Sequence, residues 1–227
     1  MKKFYLYIIC IMIVSYFDMI YNLKSILLFT FFILSLPFFN DLRSSFRISF
    51  FKMDKIFTVY MLIFSLSFTV FFSLLPFLIF KDYDIGKIGN YTNYGVLKVL
   101  LVSPLLEELI FRGSLLSLLV KTESPKKAIL LSSLGFSITH YLSSSSLFAT
   151  FVLGIFLAYV YLKTESVFLC VIAHAFNNFL ALVFSPFLIS FLNIKETSYY
   201  ILAFIILSSI VMLYSLFKIN KQNKKLK

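Results

Sequence analysis

The chain is predicted to be an all-α, polytopic membrane protein, with about eight transmembrane helices around a polar cavity inside the bilayer. Three observations predict this. Hydrophobic residues make up 60% of the 227 residues and the mean hydropathy is +0.95, whereas soluble domains are roughly 45–50% apolar. The apolar residues form long continuous runs, without the period-2 alternation of barrel strands. The basic residues fall between those runs and gather on one side of the resulting map.

A spanning helix needs about 20 apolar residues, with a range of about 17 to 25. In chain order the candidate runs are Phe4–Tyr21, Ser25–Phe39, Ile56–Phe80, Tyr94–Val120, Ala128–Leu142, Leu147–Leu162, Val167–Ile189 and Ser198–Phe217. The first follows Met1, Lys2 and Lys3, as a signal peptide would. No small-residue cleavage site follows it, and the chain continues through Tyr16, Phe17 and Asp18 into the next run. It therefore reads as a retained helix. Asn40–Lys55 and Lys81–Asn93 are the longest loops, the second with Gly86, Gly89 and Asn90 as turn residues. No repeat or linker divides the chain, so residues 1–227 read as a single integral-membrane domain.

The charges orient this map. With the N-terminus in the cytoplasm, the inner segments hold Lys2 and Lys3, then Arg43, Arg47, Lys52 and Lys55, then Lys121, Lys126, Lys127 and Lys163. The tail adds Lys218, Lys221, Lys224, Lys225 and Lys227, while the outer loops hold only Lys24, Lys81, Lys87 and Lys195. That asymmetry and an even span count place both termini in the cytoplasm. It also accounts for the net charge of +11 without a continuous basic stripe, so no nucleic-acid partner is expected. Cys10 and Cys170 lie far apart within apolar runs and read as free, buried thiols.

Ionisable side chains at membrane depth are costly and by default functional. The fourth run carries Glu107, Glu108 and Arg112, and the chain's two histidines, His140 and His174, lie in the fifth and seventh. Glu108 and Arg112 are four residues apart and share a helix face, where a guanidinium fork suits a carboxylate. Glu107 points about 100° away and is free to face a cavity. Phe136 lies one turn before His140. His174 and Asn178 form a polar column, with Asn177 on a neighbouring face. At about 1.5 Å per residue, Glu107 lies roughly 21 Å from Lys121, His140 roughly 20 Å from Lys127, and His174 and Asn178 roughly 14 and 20 Å from Glu165. In a hydrocarbon core about 30 Å thick, these are comparable depths.

Glu107-Glu108-x-x-x-Arg112, Phe136-x-x-x-His140 and His174-x-x-x-Asn178 resemble the three motifs of the CAAX protease and bacteriocin-processing family, which includes the Ras-converting prenyl-protein endopeptidase. The resemblance spans a motif-bearing core at 94–189, with no departure at the motif positions. It implies an intramembrane endopeptidase acting on a membrane-associated protein or peptide precursor. In that reading Glu107 and His140 hold and activate a water, His174 and Asn178 stabilise the oxyanion, and Glu108 and Arg112 form a supporting ion pair. Family members are commonly called metalloproteases, and Glu107, His140 and His174 match the ligand types of some catalytic zinc sites. HExxH is absent, and a metal-free mechanism uses the same residues, so a divalent metal such as Zn2+ and no metal at all stand as alternatives. The resemblance links such proteins to bacteriocin maturation or immunity. The Phe-, Ile-, Lys- and Asn-heavy composition points to a bacterial source and hence to its cell membrane. The alternative function is a non-catalytic membrane immunity or regulatory binding protein. A proton-relay transporter is a third, without paired broken helices or repeat symmetry to support it.

Overall fold

The computed structural model describes residues 54–79, 93–140, 146–192 and 198–222, together with Cys10 and Ile13. The architecture is all-helical, with no strand among the described residues. The expected spans Phe4–Tyr21 and Ser25–Phe39, and most of both long loops, lie outside the described residues.

Helix α1 is Lys55–Ile79, opened by the Asp54 carboxylate, which accepts from the Ile56 N–H at 2.9 Å. A long helical stretch, α2, covers 93–122. It is α-helical at Asn93–Leu97, Ser103–Glu108 and Ser117–Thr122, with wide π-helical turns at Lys98–Val102 and Leu109–Leu116. Helix α3, Pro125–Thr139, has Ser124 as its cap and Pro125 in its first turn. Helix α4, Leu147–Thr164, is capped by Ser146 and stops at Glu165, which takes the left-handed conformation (φ 52°) common after helix ends. Helix α5, Val167–Phe191, has a π-helical turn at Leu180–Phe184, and α6 is Ser198–Gln222.

Two of the wide turns have a cause in the sequence. Pro104 and Pro186 each lie two residues after a π-helical turn. Proline has no N–H and crowds the carbonyl four residues back. Widening the preceding turn is a local adjustment that membrane helices use to absorb it. The turn at Leu109–Leu116 is instead braced by hydroxyls: Ser114 donates to the Leu109 carbonyl at 3.2 Å and Ser117 to that of Arg112 at 3.0 Å.

Four of the described helices are long and apolar enough to cross a membrane: Lys55–Ile79, Leu147–Thr164, Val167–Phe191 and Tyr199–Lys221. The other two expected spans differ for separate reasons. Helix α3 has 15 residues, about 22 Å of helix against a core about 30 Å thick. In α2 the regular helix is interrupted, and Glu107, Glu108 and Arg112 fall mid-stretch.

The helices form two compact units, one built on Leu101–Ile172 and the other on Phe51–Leu100 with Ala173–Lys227. In the first, α3 and α4 pack as an antiparallel pair with the π-helical part of α2 against both. Small polar side chains join them. Ser132 donates to the Phe111 carbonyl at 3.2 Å, and the hydroxyls of Ser117 and Tyr161 are 2.7 Å apart. Such bonds are typical glue between helices where burial of apolar surface supplies no driving force.

In the second unit, α1 and α6 pack along their length. Leu74, Leu188, Ile189, Ile201 and Ile205 form a core beside Phe71, Phe77 and Phe204. Ser185 donates to Ser73 at 2.7 Å, and Thr69 lies 3.3 Å from the Asn177 amide oxygen. Leu202, Ile206, Leu207, Ile210, Leu213 and Phe217 of α6 are exposed, a surface suited to lipid rather than water. Thr69→Val is expected to destabilise by about 0.6 kcal/mol, the mean for an interhelical hydrogen bond in a membrane, read as a lower unfolding midpoint in bicelles.

Candidate active site

The site in the first unit is built around Phe136. Glu108 and Arg112 are fully buried and joined at 2.8 Å across one turn of α2. The second guanidinium nitrogen of Arg112, Nη2, donates to the Gly154 carbonyl on α4 at 3.0 Å. The central guanidinium carbon lies 4.6 Å from the centre of the Phe136 ring. The guanidinium thus has a carboxylate, a carbonyl and an aromatic face around it, the surroundings a buried cation needs. On other sides the Phe136 ring meets Phe111 edge-on at 5.4 Å and His140 at 4.7 Å.

His140 stands where α3 stops, with φ −89° and ψ 0°. This sparsely populated backbone region often holds active-site residues. Its Nδ1 lies 2.9 Å from the Phe136 carbonyl oxygen. A carbonyl only accepts, so the hydrogen-bond network assigns the ring proton to Nδ1, and in the neutral ring Nε2 carries the lone pair. Nε2 lies 3.6 Å from Glu107 Oε2, and both side chains keep some exposure, 18% and 19%. That separation exceeds a direct hydrogen bond. Adjacent glutamates therefore have different surroundings, Glu108 against Arg112 and Glu107 beside His140.

His174, Asn177 and Asn178 belong to the second unit. His174 is buried, and Asn178 donates from Nδ2 to the Val99 carbonyl at 2.9 Å. Val99 lies in the π-helical turn that precedes Pro104. Asn178 thus reaches a carbonyl in a turn where proline disturbs the regular helical ladder. Asn177, which sequence reasoning sets on a neighbouring face, meets Thr69 of α1. Cys170 is fully buried and donates to the Leu157 carbonyl at 3.5 Å, a packing role.

Sequence reasoning missed Gly154, Thr69 and the Val99 carbonyl. A glycine alone in an apolar helix signals close approach of another backbone, so Gly154 had a signal. Thr69 and Val99 had none. Among the described residues, no three His, Cys, Asp or Glu side chains are grouped to hold a metal ion. Glu107 and His140 supply two donors, and a catalytic zinc takes three protein ligands. Within the first unit these two donors are the side chains of that type at the site, and the chemistry proposed for it uses the chain's own residues.

An all-helical protein with four described helices apolar enough to cross a membrane, and with carboxylate, imidazole and guanidinium groups buried among its helices, belongs to the class of membrane proteins, where such groups are by default functional. Residues 90–180 match the family model described as Rce1-like, the type II CAAX prenyl endopeptidase Rce1-like family. This stretch contains every motif residue from Glu107 to Asn178, and through it the chain is similar to a family of membrane proteases. Comparison with curated proteins and with solved structures gives no match.

Proposed function

We propose that the protein is an intramembrane endopeptidase, hydrolysing a peptide bond of a membrane-associated protein or peptide precursor with a water activated by Glu107 and His140. The observation that carries this reading is the approach of His140 Nε2 to Glu107 Oε2 at 3.6 Å, inside the family-matched segment. With Nδ1–H held by the Phe136 carbonyl, Nε2 and the carboxylate are both acceptors. A water seated at the open edge of the pair, within reach of both acceptors, donates to the carboxylate and directs a lone pair at the substrate carbonyl carbon. As the C–O bond forms, Glu107 takes the proton. It returns that proton to the amine nitrogen as the C–N bond breaks, leaving a carboxylic acid and an amine.

The tetrahedral intermediate carries an oxyanion, and His174 and Asn178 are the proposed donors to it. An asparagine amide has two N–H groups. One Asn178 hydrogen is committed to Val99, and the other remains for the oxyanion. Glu108 and Arg112 hold the helices that carry this chemistry. In this reading residues 1–227 form one domain of about eight spans around a polar cavity. The motif core lies at 94–189, and both termini face the cytoplasm of a bacterial cell. Peptide maturation or immunity is the biological setting.

The test is cleavage of membrane-anchored peptides by the purified protein in bilayers. Asn178→Ala is expected to lower kcat about 10²–10³-fold, the cost of one oxyanion donor, with KM little changed. An unchanged kcat would remove Asn178 from the oxyanion site.

A further inference from the structure

The geometry points to Gly154 as a positioning residue for His140, acting through Phe136. The catalytic consequence rests on the endopeptidase reading above, whereas the structural coupling does not. Gly154 is buried in the middle of α4. A Cβ added there would lie 3.1 Å from Ser133 Cα, 3.1 Å from Ser133 Cβ and 3.2 Å from Phe136 Cδ1. One of those atoms is backbone of α3 and has no rotamer to escape into. Close helix approach at small residues is a common device in membrane proteins, and here it determines where α3 sits.

Phe136 has no room to yield silently. It is fully buried, with Phe111 at 5.4 Å, the Arg112 guanidinium at 4.6 Å and His140 at 4.7 Å around its ring. Arg112 is itself tied to the Gly154 carbonyl at 3.0 Å. The Phe136 carbonyl holds His140 Nδ1 at 2.9 Å. Both the ring and the backbone of Phe136 therefore bear on the imidazole. A methyl at Gly154 moves Phe136 or α3 by a few tenths of an ångström. That displacement passes to Nε2, which faces Glu107 at 3.6 Å.

The test is Gly154→Ala in the full chain in bilayers, followed by 15N ring NMR of the histidines. The chain has two histidines, and His174→Gln assigns the signals. The expected result is a shifted His140 signal, an unmoved His174 signal, and kcat lower by about tenfold at similar KM. A folded Gly154→Ala protein with a wild-type His140 signal would overturn the proposal. So would equal movement of both signals, which would mean general loosening. Should Gly154→Ala not accumulate, Ser133→Gly/Gly154→Ala removes one clash, keeps the Phe136 contact and carries the same expectation. If the wild type cleaves nothing, the endopeptidase reading fails, and the ring signals still decide the role of Gly154.

Discussion

Glu107→Gln is expected to lower peptide cleavage by about 10²–10⁴-fold, the usual contribution of a positioned general base, with no loss of folded protein. The amide has nearly the shape of the carboxylate but cannot take a proton from water near neutral pH. Glu107 keeps some exposure and lies outside the Glu108–Arg112 pair, so the substitution creates no unmatched buried charge. Kinetics and thermal unfolding of the same preparation check both halves of this expectation. Unchanged cleavage would place the base elsewhere.

Arg112→Ala is expected to act on stability instead, destabilising by about 3–5 kcal/mol because it breaks a buried ion pair from one side. It removes the cation from a fully buried Glu108 and also the donor to the Gly154 carbonyl. Arg112→Lys should recover little. A single ammonium does not reproduce a fork that serves Glu108 and Gly154 while lying over Phe136. Glu108→Gln/Arg112→Met should recover much of the loss, because no charge then remains buried. Yield and unfolding midpoint in bicelles are the readouts. Normal accumulation of Arg112→Ala would contradict the supporting role of the pair.

The contrast between these two variants follows the limits of what the sequence makes legible. Glu108–Arg112 and Phe136–His140 are four residues apart, and one helical turn brings such pairs together whatever the rest of the fold does. The bonds from Arg112 to Gly154, Asn178 to Val99 and Thr69 to Asn177 join residues 42, 79 and 108 positions apart. No local pattern reports them. Element bounds show a similar divide. Hydropathy alone starts α3 at Ala128 and ends it at Leu142, whereas the helix is Pro125–Thr139. Ser124 and Pro125 form a recognisable cap, but Lys126 and Lys127 make that first turn look like loop. The π-helical turns leave no mark on hydropathy, which reports burial rather than hydrogen-bond register. Pro104 and Pro186 were the available clue to two of them.

The most direct test of proteolysis by the Glu107–His140 pair works on an unidentified substrate. It is comparative peptidomics of membranes and medium from cells carrying the wild type or Glu107→Gln at equal abundance. The account predicts that a precursor accumulates in the variant while its fragments, ending at one defined bond, are lost. Indistinguishable peptide populations from the two strains would contradict it.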